Sequence, residues 1–507
     1  MSKLAGSFSA RPGRAGRLDR RPRSGEGGFS LIELMISLVA GLMVTMAVMG
    51  VSKEATNTFH EEVRVAGAEM GVRVAAERLR LDLQRAAFMS TGNIAADPNM
   101  ARMKNATTNT ANIAPPIPPS LLTLSGVRIN VGQAFVNLDP TYGPELAGQG
   151  IVPDSIDIGG NFSSSDEYPV LFTTAPTGVP AGCSTTGALQ IQMESASGWR
   201  LRNAEAAATA AGALAGTAML ALFHPGTSTT SQFALRIADP TGHYQFVLGC
   251  PGIGAVSYNT GTSPPTATVY ISGNSTILQG NQASIGGVGG YGVGLTTVSP
   301  VQIAHWDIQT VGQLRLGQAP GGTVPATTPT EFNVTAVGST STYDPDEFVL
   351  TRCYIDFSVT ANPACDTTTT EVIAEYAVDL RFGMTVDTGN PCVNIPCPVT
   401  APTYLVNPHT YYPIDGPTLL STLGVWTGVT YPPTPGRGPE RIRDIQARVA
   451  VRSPVGDRVT TLAGTGSYLY RYHIVKPALH QSAQYSYARV REVVTNVTLP
   501  NQAGFFW

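Results

Sequence analysis

The hydrophobic pattern changes abruptly near the start of the chain. Residues 1–28 are polar and basic, and at Phe29 they give way to an apolar run that ends at Val51 and contains one charged side chain, Glu33. About 20 apolar residues are enough to cross a bilayer, so the run predicts a membrane-spanning helix over residues 29–51. A lone carboxylate in such a helix is costly in lipid, and Glu33 is therefore a predicted functional residue.

A different helical pattern follows the apolar run over residues 52–90. No proline occurs between Lys53 and Phe88, and small or aliphatic side chains recur at steps of three and four. The recurring positions are Val65, Ala68, Val72, Ala75, Leu79, Leu83 and Ala86. One apolar face of this kind predicts an amphipathic helix packed on a globular core. The two segments together predict one helix of about 60 residues, about 90 Å long, docked only along its second half.

Strand-like patterns dominate the rest of the chain. Over residues 91–370, short β-type runs alternate with loop-like insertions, and the Ala-rich stretch Ala206–Ala221 is compatible with a helix or a low-complexity insertion. Residues 371–507 alternate more clearly, above all in Ala374–Val386, Ile445–Val451 and Val490–Leu499. Period-two alternation predicts strands with one buried face. The order predicts an α+β fold, in which the long N-terminal helix packs on an antiparallel β-sheet domain with large loop and β insertions.

Charge is sparse and unevenly placed. Only 13% of the residues are charged, and Gly (54) and Pro (38) are frequent, which is typical of a β-rich exported protein. The leader 1–28 holds Lys3 and six arginines against Asp19 and Glu26. A basic segment before an apolar run stays in the cytoplasm, so we expect a single-pass topology with the bulk of the chain across the membrane.

Two other interpretations of the N-terminus are weaker. A nucleic-acid-binding arm is disfavoured because the membrane segment follows it directly. An ordinary secretory signal cleaved near Ala40-Gly41 is disfavoured because Glu33 lies inside the apolar region.

All the cysteines lie beyond the apolar run. They are Cys183, Cys250, Cys353, Cys365, Cys392 and Cys397. An even number beyond a membrane segment predicts disulfides in an oxidising compartment. Proximity favours Cys353–Cys365 and Cys392–Cys397, which leaves Cys183–Cys250. Reduced thiols, or zinc at Cys392–Cys397, are the alternatives, and zinc is disfavoured because no second pair of ligands lies nearby.

The sequence contains no convincing pattern of catalytic residues. Gly287–Gly292 matches a dinucleotide-binding fingerprint but has neither a strand before it nor a helix after it. The acidic loop Asp344–Glu347 lacks the ligand spacing of an EF-hand, so a solvated turn is favoured over a Ca²⁺ site. We therefore expect no enzymatic activity, no cofactor, no metal and no nucleic-acid partner.

The stretch Gly28-Phe29-Ser30-Leu31-Ile32-Glu33-Leu34-Met35 resembles the class III cleavage site of type IV pilins and pseudopilins. The resemblance implies that prepilin peptidase cuts after Gly28 and methylates the new N-terminal residue, Phe29. It also implies that Glu33 pairs with a subunit amine and sets axial register during assembly. A subunit that retains this glutamate is expected to lie below another one.

Three later stretches resemble PilW-like minor pilins: the helix end at 83–88, with Ala87 in place of the usual glycine, the segment 371–388, and the strands 442–453 with 493–497. The resemblance implies insertion in the inner membrane, then incorporation at or near the tip of a cell-surface pilus. The implied partners are other minor and major pilins, the inner-membrane assembly machinery and a tip adhesin. J-type pseudopilins of type II secretion share much of the pattern and are the first alternative; a membrane-anchored exported adhesin is the second.

Overall fold

Helix α1, Leu31–Gln84, is the first element of the fold. It is seen in a computed structural model of the chain. The structure describes residues 30–103, 117–131, 153–173, 176–224, 226, 231–259, 261, 265–273, 275, 277, 284–285, 296–310, 348–358, 364–388, 409–414, 438–454, 471–474 and 486–502. The chain divides into two compact units, Met1–Glu62 and Val63–Trp507.

Within the described residues, the second unit holds two further α-helices and antiparallel strands. The helices are α2, Ala196–Ala210, and α3, Thr217–Phe223. The strands are β1 Arg102–Met103, β2 Val127–Asn130, β3 Ser155–Gly160, β4 Tyr168–Thr173, β5 Cys183–Gln192, β6 Ala234–Ala238, β7 Tyr244–Leu248, β8 Val256–Asn259, β9 Thr266–Ser272, β10 Ser284–Ile285, β11 Thr296–Thr310, β12 Phe348–Asp356, β13 Ala364–Cys365, β14 Glu371–Glu375, β15 Ala377–Asp387, β16 His409–Tyr412, β17 Ile442–Arg452, β18 Arg471–Ile474 and β19 Ser486–Thr498.

The larger sheet is built around the long strand β11. Its first part pairs with β4 and β6, and its second part pairs with β3 and β12. From β4 the sheet continues through β5 and β9 to β8, while β2 extends it from β3 and β14 from β12. Because β11 pairs with strands along both of its parts, segments that are far apart in sequence form one sheet.

A five-stranded sheet, smaller than the first, comes from the C-terminal part of the chain in the order β16-β15-β17-β19-β18, and β1 pairs with β10 apart from both sheets. Its central strands β15 and β17 are buried along almost their whole length. The N–H of Asp154, just before β3, donates to the carbonyl oxygen of Leu380 on β15 at 2.7 Å, so a backbone hydrogen bond links the two sheets.

One hydrophobic core joins the docked part of α1 to both sheets. From α1 it takes Ala68, Val72, Ala75, Leu79 and Leu83, which all lie on one helical face. They pack in the same core as Trp306 of β11 and Phe382 of β15. The predicted α+β fold, with a helix packed on antiparallel strands, is therefore confirmed.

Two predicted boundaries were wrong for reasons of backbone geometry. The helix ends at Gln84 rather than near Phe88, because Ala87 takes a left-handed conformation with φ 59°. The strand predicted over Ala374–Val386 is broken at Tyr376, whose φ is 57°. The residues before this break pair with β12 and those after it pair with β17.

The Ala-rich stretch is helical at both of its ends, as one of the two interpretations predicted, and residues 211–216 between them form a turn. Helices α2 and α3 divide it between them. The buried carboxylate of Glu205 on α2 accepts a hydrogen bond from the backbone N–H of Gly216, and two more from those of Ala218 and Met219 at 3.1 and 3.3 Å. This single side chain holds the start of α3 against α2.

Candidate functional site

The predicted site lies at the N-terminal end of α1. Gly28 and Phe29, expected on either side of the cleaved bond, lie outside the described residues, and Ser30 is the first residue described. Because the helix begins at Leu31, the expected cut falls just before the first helical turn, which contains Glu33.

Ser30 and Glu33 bind each other's backbone. The Glu33 N–H donates to Ser30 Oγ at 3.2 Å, and the Ser30 N–H donates to Glu33 Oε2 at 3.4 Å. This reciprocal pair is a capping box, which satisfies backbone donors that a helix N-terminus leaves without partners. It also places the carboxylate at the positive end of the helix dipole.

Sequence reasoning identified Glu33 but missed Ser30. The spacing Ser-x-x-Glu just before an apolar run is itself a signal for a helix start, and it could have found the serine. The structure thus gives the lone carboxylate a partner within its own chain.

The apolar part of α1 is exposed. The helix contains an 18-residue window of mean hydropathy 2.3, none of it buried inside the protein, so it is long and apolar enough to cross a membrane. Ser37 Oγ donates to the Leu34 carbonyl at 2.9 Å, and Thr45 Oγ1 donates to the Gly41 carbonyl at 2.8 Å. These hydroxyls are satisfied within the helix, as a lipid environment requires.

A buried ion pair fastens the other end of α1 to the larger sheet. Asp82 Oδ2 accepts hydrogen bonds from Arg352 Nε at 2.6 Å and from Trp306 Nε1 at 3.0 Å. Burial alone would lower the pKa of Arg352, but the Asp82 carboxylate outweighs burial and raises it. The sequence analysis missed Asp82, although an acidic residue beside the apolar positions Leu79 and Leu83 could have indicated a buried carboxylate.

The end of α1 is held by residues from distant parts of the chain. Asn501 Nδ2 donates to the carbonyls of Gln84 and Ala86 at 3.0 and 3.2 Å. The left-handed Ala87 donates its N–H to Gly159 at 2.7 Å. A Cβ on Gly160 would lie 2.4 Å from the Arg85 carbonyl oxygen, so the backbones approach more closely than any side chain allows.

Two of the three expected disulfides are present. Cys183 bonds to Cys250 and Cys353 to Cys365, with Cα–Cα distances of 5.5 and 5.7 Å. Cys392 and Cys397 lie outside the described residues, and so do the acidic loop Asp344–Glu347 and the glycine-rich Gly287–Gly292.

A histidine flanked by two carboxylates joins β3 to β11. His305 Nδ1 lies 2.6 Å from Asp157 Oδ1, and His305 Nε2 lies 3.8 Å from Asp307 Oδ2. Burial opposes the charge on the imidazole, but the two carboxylates outweigh it and raise the pKa of His305 to about 10. Burial raises the pKa of Asp307 to about 6. The charged imidazole thus links neighbouring strands across the sheet.

A second buried pair lies where α3 ends. His224 Nε2 is 3.3 Å from Asp366 Oδ2, which also accepts a hydrogen bond from Ser231 Oγ at 3.3 Å. Burial raises the pKa of Asp366, but the neighbouring His224 imidazole and the hydrogen bonds from Thr368 outweigh it and lower the pKa to about 2. In the part of the chain that the structure describes, no three His, Cys, Asp or Glu side chains are placed to hold a metal ion.

Comparison of the chain with models of known protein families, with characterised proteins and with solved structures finds no match.

Proposed function

We propose that this chain is a PilW-like minor pilin. It is inserted in the inner membrane, cut by prepilin peptidase after Gly28, methylated at Phe29 and built into a type IV pilus at or near the tip, where it helps to start assembly. One observation carries the proposal: the Ser30–Glu33 capping box opens an exposed, membrane-length apolar helix immediately after the expected cut.

The capping box supports a change of partner for Glu33. In the uncut chain the carboxylate accepts a hydrogen bond from the neutral amide of Ser30. Cleavage would release an ammonium group on Phe29, and a charge-assisted hydrogen bond is about twice as strong as a neutral one. An ammonium group, its own or a neighbour's, therefore displaces the amide, and a carboxylate in lipid is stabilised by such a pair.

The wider architecture is compatible with an assembly role. The helix continues without a break from the apolar segment into the β-rich unit, where Asp82 and the end of the helix are fixed by hydrogen bonds.

A J-type pseudopilin of type II secretion is the second candidate, because the same capping box and apolar helix would serve a pseudopilus equally well. Recovery of the native protein in sheared surface pili would support the pilus, and recovery with type II secretion components would support the pseudopilus.

Mass spectrometry of the N-terminus of membrane-extracted protein tests the processing step. The expected result is a chain that starts at N-methylated Phe29. A chain that keeps Met1, or one that starts near Gly41, would contradict the proposal.

Substitution of Glu33 tests the assembly step. We expect Glu33→Ala to be cut normally and to be lost from sheared filaments. Glu54→Ala, a change of another helical glutamate beyond the apolar run, is the matched control and should be incorporated normally. Normal recovery of Glu33→Ala in filaments would refute the proposed role of the carboxylate.

A further inference from the structure

The two disulfides of the described chain differ in how well they can be reached from solvent. Cys183 and Cys250 are 9 and 1% exposed, and both lie in a hydrophobic core. Cys353 is 1% exposed, but its partner Cys365 is partly exposed. A thiol opens a disulfide by attacking a sulfur atom that it can reach. Cys365 therefore offers an attacking thiol an entry point that the Cys183–Cys250 bond lacks.

The segment that carries Cys365 is also held in place by hydrogen bonds. Strand β13, which contains Cys365, pairs with β12. Directly after it, the Asp366 N–H donates to the Tyr354 carbonyl at 2.8 Å, and the Tyr354 N–H donates to Thr369 Oγ1 at 3.0 Å. Thr369 Oγ1 in turn donates to the Asp366 carbonyl at 2.8 Å. These bonds tie the segment to β12, the strand that carries Cys353.

The Asp366 side chain adds contacts with two further segments. Its Oδ2 lies 3.3 Å from His224 Nε2 at the end of α3 and 3.3 Å from Ser231 Oγ. Ser231 Oγ also lies 3.1 Å from Oδ2 of Asp356, the last residue of β12. A broken disulfide would therefore leave the two thiols on neighbouring, fixed strands. Thiols held together in this way act at a high effective concentration, so the bond can form again.

We propose that Cys353–Cys365 is a thiol–disulfide exchange site, which a dithiol partner opens and closes in the folded protein. The partner has the chemistry of a Cys-x-x-Cys centre, because two neighbouring thiols complete the exchange within one partner molecule. The inference goes beyond the proposed function and depends neither on cleavage nor on Glu33.

The exchange is a two-electron transfer. A partner thiolate attacks Cys365 Sγ, forms a mixed disulfide and releases Cys353 as a thiolate, which takes up a proton. The second partner thiolate then attacks the partner's own sulfur in the mixed disulfide and releases Cys365, which is also protonated. The protein disulfide is thus reduced to two thiols while the partner dithiol is oxidised to a disulfide. The same steps in reverse close the bond.

Reduction of the folded, full-length protein in detergent by dithiothreitol, a small dithiol, tests the difference between the two bonds. Samples are quenched at intervals with N-ethylmaleimide, and mass spectrometry of tryptic peptides identifies the alkylated cysteines. We expect Cys353–Cys365 to open about tenfold faster or more than Cys183–Cys250, the matched control in the same chain. Equal rates, or faster opening of Cys183–Cys250, would overturn the inference.

A thiol that cannot complete the exchange identifies the sulfur atom that is attacked. Glutathione carries a single thiol, so one molecule stops at the mixed disulfide. Fragment spectra should place glutathione on Cys365 and N-ethylmaleimide on Cys353. Glutathione on Cys353 instead would contradict entry through Cys365.

Two threonine variants test whether hydrogen bonds keep the thiols together. Thr369→Val removes the hydroxyl between Asp366 and Tyr354, and we expect glutathione disulfide to reclose the reduced bond about fivefold more slowly. Thr370→Val is the matched control, because its hydroxyl donates to the same Asp366 carbonyl at 3.3 Å and does not bond to β12. Equal reclosure in the two variants would contradict the proposed positioning.

Circular dichroism of the reduced protein separates exchange from unfolding. We expect the spectrum to keep its native shape after Cys353–Cys365 has opened and Cys183–Cys250 has not. Loss of the native spectrum at that stage would show that the bond is needed for the fold, and it would overturn the inference. Uncut and cut protein should give the same result, which separates this outcome from that of the proposed function.

Discussion

Asp82 and Arg352 form a buried ion pair between α1 and the larger sheet, with 2.6 Å between Oδ2 and Nε. Their side chains are 8 and 2% exposed, and Trp306 donates a further hydrogen bond to the same carboxylate oxygen. A pair of this kind stabilises a fold less than its geometry suggests, because both charges lose their water. What it does provide is one defined position of the helix on the sheet.

Replacing one residue of the Asp82–Arg352 pair should destabilise the fold far more than replacing both. We expect Asp82→Ala to lower the free energy of unfolding by about 3–5 kcal/mol, because Arg352 is left as an uncompensated buried charge. The double variant Asp82→Leu with Arg352→Met should recover most of this loss. Urea denaturation followed by circular dichroism measures the free energy of unfolding of both variants. Equal losses in the single and the double variant would contradict the role of the uncompensated charge.

Ser30 is expected to hold the first turn of α1. Ser30→Ala removes the side-chain acceptor for the Glu33 N–H, and loss of such a cap costs about 0.5–2 kcal/mol. Hydrogen exchange of the Leu31–Leu34 amides should become faster in the uncut protein in detergent. Ser37→Ala, which removes a hydroxyl bonded within the helix, is the control and should leave this exchange unchanged.

Stability should fall at alkaline pH through His305. Its pKa is raised to about 10 in the folded chain, above the ordinary value of 6.5. The folded state therefore holds the proton more tightly than the unfolded state. The resulting stabilisation is fully present below about pH 6.5 and is lost as the pH rises through 10.

Urea denaturation between pH 6 and 10.5 checks this prediction. The free energy of unfolding should decrease more steeply with pH in the wild type than in His305→Gln. His243→Gln, at a half-exposed histidine just before β7, should behave like the wild type. Parallel profiles for all three proteins would contradict a charged His305.

The two disulfides should contribute unequally. They close loops with sequence separations of 67 and 12 residues. Loop-closure entropy in the unfolded chain gives about 4 kcal/mol for Cys183–Cys250 and about 3 kcal/mol for Cys353–Cys365. Serine double variants of each pair, compared by thermal unfolding, should follow this order, and the reverse order would show that native contacts outweigh chain entropy.

Much of the fold was predictable because it depends on local pattern. The long helix and the strands near Ile445 and Val490 followed from apolar periodicity, which records which side of an element is buried. The break at Tyr376 could not be predicted from the sequence. This bulky residue takes a left-handed conformation because the residues before it pair with β12 and those after it pair with β17. Half of the candidate site was predicted from the sequence: Glu33 stood out as a lone charge, while Ser30 was overlooked although its spacing from Glu33 is that of a capping box.

The sequence by itself determined where the chain can enter a membrane, which carboxylate is isolated there, and which helical face is buried. These properties depend on hydrophobicity and on residues a few positions apart. Only the tertiary structure decided that Asp82 meets Arg352 and that Asn501 caps the helix, because these pairs are separated by hundreds of residues. It also decided that Met70 and Val74 stay uncovered, since a residue is exposed only if no distant segment packs on it.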